Sequence, residues 1–115
     1  MGYDLHITRA EDWTLSEKQP ISEAEWMKVV DADPTLQVSS QDYYERRKNG
    51  VVERFHLVIW LAHEGKPAFW NMDGEITKKN PDQLVVDKMV EIAQKLDARV
   101  FGDDGEEYTK EGVID

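Results

Sequence analysis

The densest group of chemically active side chains in this sequence is a run of carboxylates near its end. The stretch FGDDGEEY, residues 101–108, places Asp103, Asp104, Glu106 and Glu107 within five consecutive positions. Carboxylates bind hard cations, but this run lacks the D-x-[DN]-x-[DN]-G spacing of an EF-hand loop. We therefore predict no metal and no cofactor. We interpret the run as a recognition element for a cationic partner, with a solvated acidic turn as the alternative.

The histidines are the candidates for acid–base chemistry, because imidazole is the side chain that normally titrates near neutral pH. His6 and His56 lie in predicted strands, and Asp4 falls on the same strand face as His6. No nucleophile elbow, phosphate-binding loop, dinucleotide fingerprint or HExxH motif accompanies them. The chain is therefore predicted not to be an enzyme. The alternative is a small enzyme or ligand-binding domain with a pocket near His6 and His56.

The net charge of −10 is concentrated at both ends of the chain. Residues 1–34 hold eight acidic and three basic side chains, residues 35–100 hold ten of each, and residues 101–115 hold six acidic side chains and one lysine. Phosphate backbones and anionic membranes repel such a chain, so nucleic acid and membrane are not expected partners. If the first and last loops meet in the fold, the two acidic ends merge into one field that attracts a basic protein.

Two aromatic residues beside acidic side chains are candidate anchors in such an interface. Trp13 follows Glu11 and Asp12 in the polar stretch 9–19, which we expect to be a loop. Tyr44 lies in a predicted strand, and tyrosine and tryptophan are enriched in binding hot spots. The predicted partner-binding residues are thus Glu11, Asp12, Trp13, Tyr44, Asp103, Asp104, Glu106 and Glu107.

Local signals in the first two-thirds of the chain predict the elements that position these residues. YDLHIT, residues 3–8, alternates as a half-buried strand. Ser22 and Glu25 form a capping box before a helix that stops ahead of Pro34. The pairs Asn49-Gly50 and Asp73-Gly74 predict tight hairpins, because both central residues of a type I′ turn need positive φ. RFHLVIWLA, residues 54–62, is apolar on both faces and predicts a central strand covered on each side.

A second helix is predicted after Asn80, which we expect to be its N-cap, with Pro81 in the first turn. Its apolar stripe, Val85, Met89, Ile92 and Leu96, is expected to pack on the sheet. RVF, residues 99–101, predicts a short last strand, followed by a tail that frays. The expected architecture is a single α+β domain over residues 1–115, with an antiparallel meander sheet of about five or six strands and two main helices.

Several segments resemble a group of small acidic bacterial proteins, mostly uncharacterised. They are YDLHITRA at residues 3–10, PIS and EW within residues 20–26, and KNPD, ARV and GDDGEEY within residues 79–108. Some members of that group are similar to the cytosolic immunity proteins of polymorphic or contact-dependent toxin systems. The resemblance implies a protein that binds and blocks one basic toxin domain, such as a nuclease.

Two features that are absent from the sequence bear on the expected cellular compartment. It has no cysteine and no signal-peptide pattern at its start, so we expect a cytoplasmic protein. An adaptor that binds some other basic protein would show the same acidic surface and is a further alternative.

Overall fold

A computed structural model describes residues 3–114, which form one antiparallel sheet with helices packed on it. The strands are β1 (Asp4–Thr8), β2 (Leu36–Lys48), β3 (Val51–Trp60), β4 (Ala68–Met72), β5 (Glu75–Lys79), β6 (Arg99–Gly102), β7 (Glu107–Thr109) and β8 (Gly112–Ile114). The helices are a 3-10 helix (Trp13–Lys18), α1 (Glu23–Ala32) and α2 (Gln83–Lys95). The α+β class with an antiparallel sheet is confirmed. The expected number of elements is wrong, because the described residues form eight strands and three helices.

The first strand of the chain lies inside the sheet rather than at its edge. The strand order is β2-β3-β4-β5-β1-β6-β7-β8, so β1 pairs with β5 on one side and β6 on the other. α2 carries the chain past β1 from β5 to β6. Two meanders, β2 to β5 and β6 to β8, are therefore joined through β1, where a single meander was expected.

The two faces of the sheet differ in what covers them. On the back face, the side chains of Leu5, Ile7, Val58, Phe69 and Ile76 form one buried core with the apolar residues of α1 and α2. Because side chains alternate along a strand, the neighbours of these residues point to the front face. The front face carries His6, Trp70, Glu75 and Thr77, and no α-helix packs on it in the described part of the chain.

The helix signals are confirmed for α1 and corrected for α2. Ser22 and Glu25 form the expected capping box, in which each side chain bonds the other's backbone N–H. The N-cap of α2 is Asp82, whose side chain accepts from the N–H of Val85. Asn80 cannot cap because its side chain accepts instead from the N–H of Tyr3, at 2.9 Å.

Both predicted hairpin turns are confirmed. Asn49 and Gly50 have φ values of 53° and 78°, and Asp73 and Gly74 have φ values of 55° and 84°. β3, which follows the first turn, is not covered on each side as expected, since Val58 is its one buried residue. The two α-helices pack on the back face, and most of β3 is exposed or only partly buried.

The stretches expected to be a loop and a frayed tail are ordered elements. Residues 13–18 form the 3-10 helix because Asp12 caps it, accepting from the backbone N–H and hydroxyl of Thr14. Residues 107–114 form the β7–β8 hairpin, whose last strand is exposed. The 3-10 helix lies beside β1 and β5 and carries Trp13.

The turn at Gly74 provides a test of how this 3-10 helix is held against the sheet. A Cβ at Gly74 would lie 2.6 Å from the backbone oxygen of Ser16, whereas a Cβ at Gly50 would have no atom within 4 Å. Both glycines have positive φ, so alanine costs about 1 kcal/mol at either position through backbone strain. We expect Gly74→Ala to cost about 2 kcal/mol more than Gly50→Ala, because backbone atoms must move apart. Urea unfolding measures both, and equal losses would contradict this packing.

Candidate functional site

His6 lies at the centre of the front face, between two carboxylates. Its Nδ1 is 2.5 Å from Oε1 of Glu75, and its Nε2 is 2.8 Å from Oδ1 of Asp103. The residue is 4% exposed. We infer that the ring is an imidazolium, because two carboxylates that accept hydrogen bonds require both ring nitrogens to donate. His6 is therefore a buried cation that joins β1, β5 and the turn after β6.

The electrostatics agree with this protonation state. Burial lowers the pKa of His6, but the hydrogen bonds and charges of Glu75 and Asp103 outweigh burial and raise that pKa above its usual value of 6.5. Burial raises the pKa of Asp103, but the backbone N–H of Asp4 and the His6 imidazolium lower that pKa overall. Imidazolium and carboxylate thus hold each other in their charged forms.

Glu75 is held in place by two hydroxyl groups besides His6. The Thr77 hydroxyl donates to Oε1 at 3.0 Å, and the Ser16 hydroxyl lies 2.9 Å from Oε2. Ser16 also lies 2.7 Å from the hydroxyl of Thr8. These contacts connect the 3-10 helix to β1 and β5, so the helix that carries Trp13 has a fixed position over His6.

Trp13 covers the histidine. The two rings are stacked with centroids 3.9 Å apart and planes 2° apart. β1 runs away from Asp103 towards Thr8, so the segment 9–13 must double back along the front face to reach His6. This reversal brings the first acidic loop to the last one.

The two acidic segments meet in a surface depression that we call the acidic depression. It is lined by Glu11, Asp12, Trp13, Thr14, Phe101, Asp103, Asp104 and Gly105, and has a volume of about 330 Å³. Four of these eight residues are acidic and none is Lys, Arg or His. Hydrogen bonds from Thr14 lower the pKa of Asp12, so it stays ionised like Asp103.

Two of the predicted acidic binding residues lie outside the acidic depression. Glu106 turns towards the sheet, where its carboxylate accepts hydrogen bonds from the hydroxyls of Tyr3 and Tyr108. Burial and this carboxylate raise the pKa of Tyr3 to about 12. Glu107 lies in β7 and borders a different depression beside the end of α2. Both therefore contribute to the charge of the region but not to the lining of the acidic depression.

Tyr44 lines a second space, which we call the sheet cavity. This cavity, also of about 330 Å³, lies on the front face between the 3-10 helix and the curled β2–β3 hairpin. Tyr44 stacks on Trp70 with ring centroids 4.4 Å apart. The lining residues are Asp4, His6, Trp13, Thr14, Ser16, Glu17, Tyr44, Trp70, Met72, Asp73, Glu75, Thr77, Lys79 and Asp103. Trp13, Thr14 and Asp103 also line the acidic depression, so the two spaces adjoin.

His56 is not part of this site. It is exposed on β3, beside Tyr43, and two strands, β4 and β5, separate β3 from β1. Both nitrogens of His6 are hydrogen-bonded to carboxylates, Nδ1 to Glu75 and Nε2 to Asp103. The pocket near His6 exists, but its partners are Glu75 and Asp103 rather than His56.

Sequence reasoning missed Glu75 and Trp70 as site residues. Glu75 follows the Asp73-Gly74 turn, and the alternation from it to Thr77 was a signal that both face one side. Nothing local indicated that this side faces His6, because that depends on β1 pairing with β5.

Within residues 3–114, the structure contains no cluster of three or more His, Asp or Glu side chains arranged to hold a metal ion. No helix in the same range is long and apolar enough to cross a bilayer.

Comparisons of the chain with protein-family models, curated protein sequences and solved structures found no match.

The His6 ion pairs predict a specific pH dependence of stability. A group whose pKa is raised on folding stabilises the fold fully below its unfolded pKa, and this contribution is lost as the pH rises through the folded value. His6→Phe keeps an aromatic ring under Trp13 but leaves Glu75 and Asp103 without their cation. We expect it to lower the free energy of unfolding by about 3 kcal/mol near pH 6, because one partner of a buried pair is removed.

The same comparison near pH 10 is the control. A larger fraction of the wild-type imidazole is neutral there than at pH 6, so the difference in unfolding free energy between wild type and His6→Phe should become smaller. Urea unfolding at several pH values measures it. A difference that stays constant or grows from pH 6 to pH 10 would contradict the imidazolium assignment.

Proposed function

We propose that this protein is a cytoplasmic binding protein of the immunity type, which neutralises a basic toxin domain through the acidic depression. The observation that carries the proposal is the meeting of Glu11 and Asp12 with Asp103 and Asp104 around Trp13, with no basic residue in the lining. The resemblance of the sequence to small acidic bacterial proteins, some of them similar to immunity proteins, supports the same function.

The geometry suits capture of a cationic surface. Four carboxylates at one depression produce a local negative potential, which accelerates the encounter with a basic partner by one to three orders of magnitude, roughly. In this proposal the carboxylates mimic the phosphates that the basic cleft of a nuclease binds. The His6 imidazolium offsets one of the nearby charges, but the sum over the lining residues stays negative.

Trp13 gives this surface an anchor. It is partly exposed at the border of both spaces and is fixed from below by the stack on His6. A rigid aromatic side chain loses little conformational entropy when a partner packs on it, which is why tryptophan is common among hot spots. The combination of a fixed indole and surrounding carboxylates favours a protein partner over a free ion.

The experiment begins with neutralisation in cells. The protein is co-expressed with a panel of basic bacterial toxin domains, and growth rescue identifies the domain that it blocks. The double variant Glu11→Gln with Asp104→Asn then tests the surface, because neither side chain makes a hydrogen bond or ion pair within residues 3–114. The matched control is Glu23→Gln with Asp31→Asn, which removes the same charge from exposed positions of α1.

We expect the Glu11/Asp104 variant to slow association with the neutralised toxin domain by about fivefold. The α1 control variant should leave this association rate nearly unchanged. Raising the salt from about 50 to 500 mM should slow association of the wild type steeply and change dissociation much less. Stopped-flow fluorescence measures both rates. An association rate that does not change with salt, or equal effects of the two double variants, would rule out the proposed surface. A panel in which no toxin domain is neutralised would rule out the immunity function.

A further inference from the structure

The sheet cavity is a concave space whose lining is both aromatic and acidic. Trp13 borders it on the side of the 3-10 helix, and the stacked pair Tyr44 and Trp70 borders it on the side of the β2–β3 hairpin. Its volume of about 330 Å³ is at the small end of the range for ligand pockets, roughly 300–1,000 Å³. The cavity therefore suits one side chain or a small molecule, not a folded segment.

The charges in the lining select the sign of the occupant. Five carboxylates line the cavity against His6 and Lys79. Glu75 and Asp103 are paired with His6, and Asp73 is paired with Arg46, whose two terminal nitrogens lie 2.6 and 3.1 Å from its oxygens. Two of the five carboxylates therefore remain without a partner in the described residues.

Asp4 and Glu17 are the carboxylates of the lining that accept no side-chain hydrogen bond or ion pair within residues 3–114. Asp4 lies at the start of β1, and Glu17 lies in the 3-10 helix. They therefore flank the cavity from two different elements. Two carboxylates with free acceptor oxygens beside aromatic rings favour a cation with several donors.

A guanidinium group matches these features better than an ammonium. It is planar and stacks on aromatic faces, and its five N–H donors form forked bonds with carboxylates. The Arg46 side chain already shows this pairing at the edge of the cavity, where it bridges Asp73 and Glu53. An ammonium would gain the charge attraction but not the stacking or the forked geometry.

We propose that the sheet cavity receives one arginine side chain of the protein partner that binds at the acidic depression. The inference rests on the proposed function, because the two spaces share Trp13, Thr14 and Asp103 and a single partner surface would cover both. The arginine stacks against the aromatic lining, and Asp4 and Glu17 accept its hydrogen bonds. This anchor adds specificity to a surface whose charges mainly accelerate encounter.

The test uses short peptides, so it does not depend on finding the toxin. Acetyl-Gly-Gly-Arg-Gly-Gly-amide is titrated into the ¹⁵N-labelled protein, and the indole N–H signals of Trp13 and Trp70 are followed by NMR. Two further peptides carry lysine or citrulline in place of arginine. Trp26 is the internal control, because it is 1% exposed in the core of the back face.

We expect the arginine peptide to give saturable shifts at Trp13 and Trp70 and none at Trp26, with weaker binding of the lysine peptide and no saturation by citrulline. Asp4→Asn with Glu17→Gln should weaken arginine binding about fivefold or more, and the α1 control double variant should bind like the wild type. Unsaturable shifts, equal binding of citrulline, equal binding of lysine, or no effect of the Asp4/Glu17 variant would each overturn the arginine assignment.

This outcome is separable from that of the proposed function. If the peptide does not bind but the Glu11/Asp104 variant still slows toxin association, the proposal of an arginine anchor is wrong and the proposal of an acidic binding surface stands. If the peptide binds in the cavity but no basic toxin domain is neutralised, the arginine site stands and the proposed immunity function is wrong.

Discussion

The ion pairs of His6 are the interaction on which the rest of the front face depends. Burying a charge lowers the stability of the fold by roughly several kcal/mol unless the charge is paired and hydrogen-bonded. His6 meets this requirement with Glu75 and Asp103, which are 69 and 97 residues away in the sequence. The pairs can form only if β1 lies between β5 and β6. The same arrangement fixes the turn at 103–105, and with it the carboxylates that face solvent there.

Trp13 completes the arrangement by covering the imidazolium with an indole ring. Water excluded by the ring would otherwise compete for the His6 nitrogens, so the stack strengthens both ion pairs. In return, the stack holds the doubled-back segment and places Glu11 and Asp12 next to Asp103 and Asp104. Such a concentration of like charge destabilises an isolated protein, and proteins often retain such costs where function needs them. In our account, the basic partner provides the compensating charge.

The features that the sequence predicted correctly are those decided by a few adjacent residues. The capping box of Ser22 and Glu25 and the turns at Asn49-Gly50 and Asp73-Gly74 depend on local geometry alone. Asn80 shows the limit of such reasoning. It has the right type for an N-cap, but a contact with Tyr3, distant in the sequence, occupies its side chain, and Asp82 takes the role.

The sequence indicated which acidic residues belong to the site but not how the fold brings them together. Charge segregation and the position of Trp13 named five of the eight residues that line the acidic depression, because charge is a property of the sequence itself. Glu106 has the same charge but points inwards, where Gly102 leaves room for its contact with Tyr3. The pairing of His6 and the sheet cavity depend on strand order and on the reversal of segment 9–13. Neither leaves a local pattern, so neither could be read before the fold was known.

The central claim is that the negative potential of this molecule is focused at Trp13 instead of being spread evenly over a protein of charge −10. NMR relaxation enhancement by a cationic and an anionic nitroxide of similar shape measures that potential at individual protons, without any partner. The account predicts the largest excess of the cationic probe at residues 11–14 and 103–105, clearly above that at the exposed surfaces of α1 and α2. An equal or larger excess at either helix would contradict it.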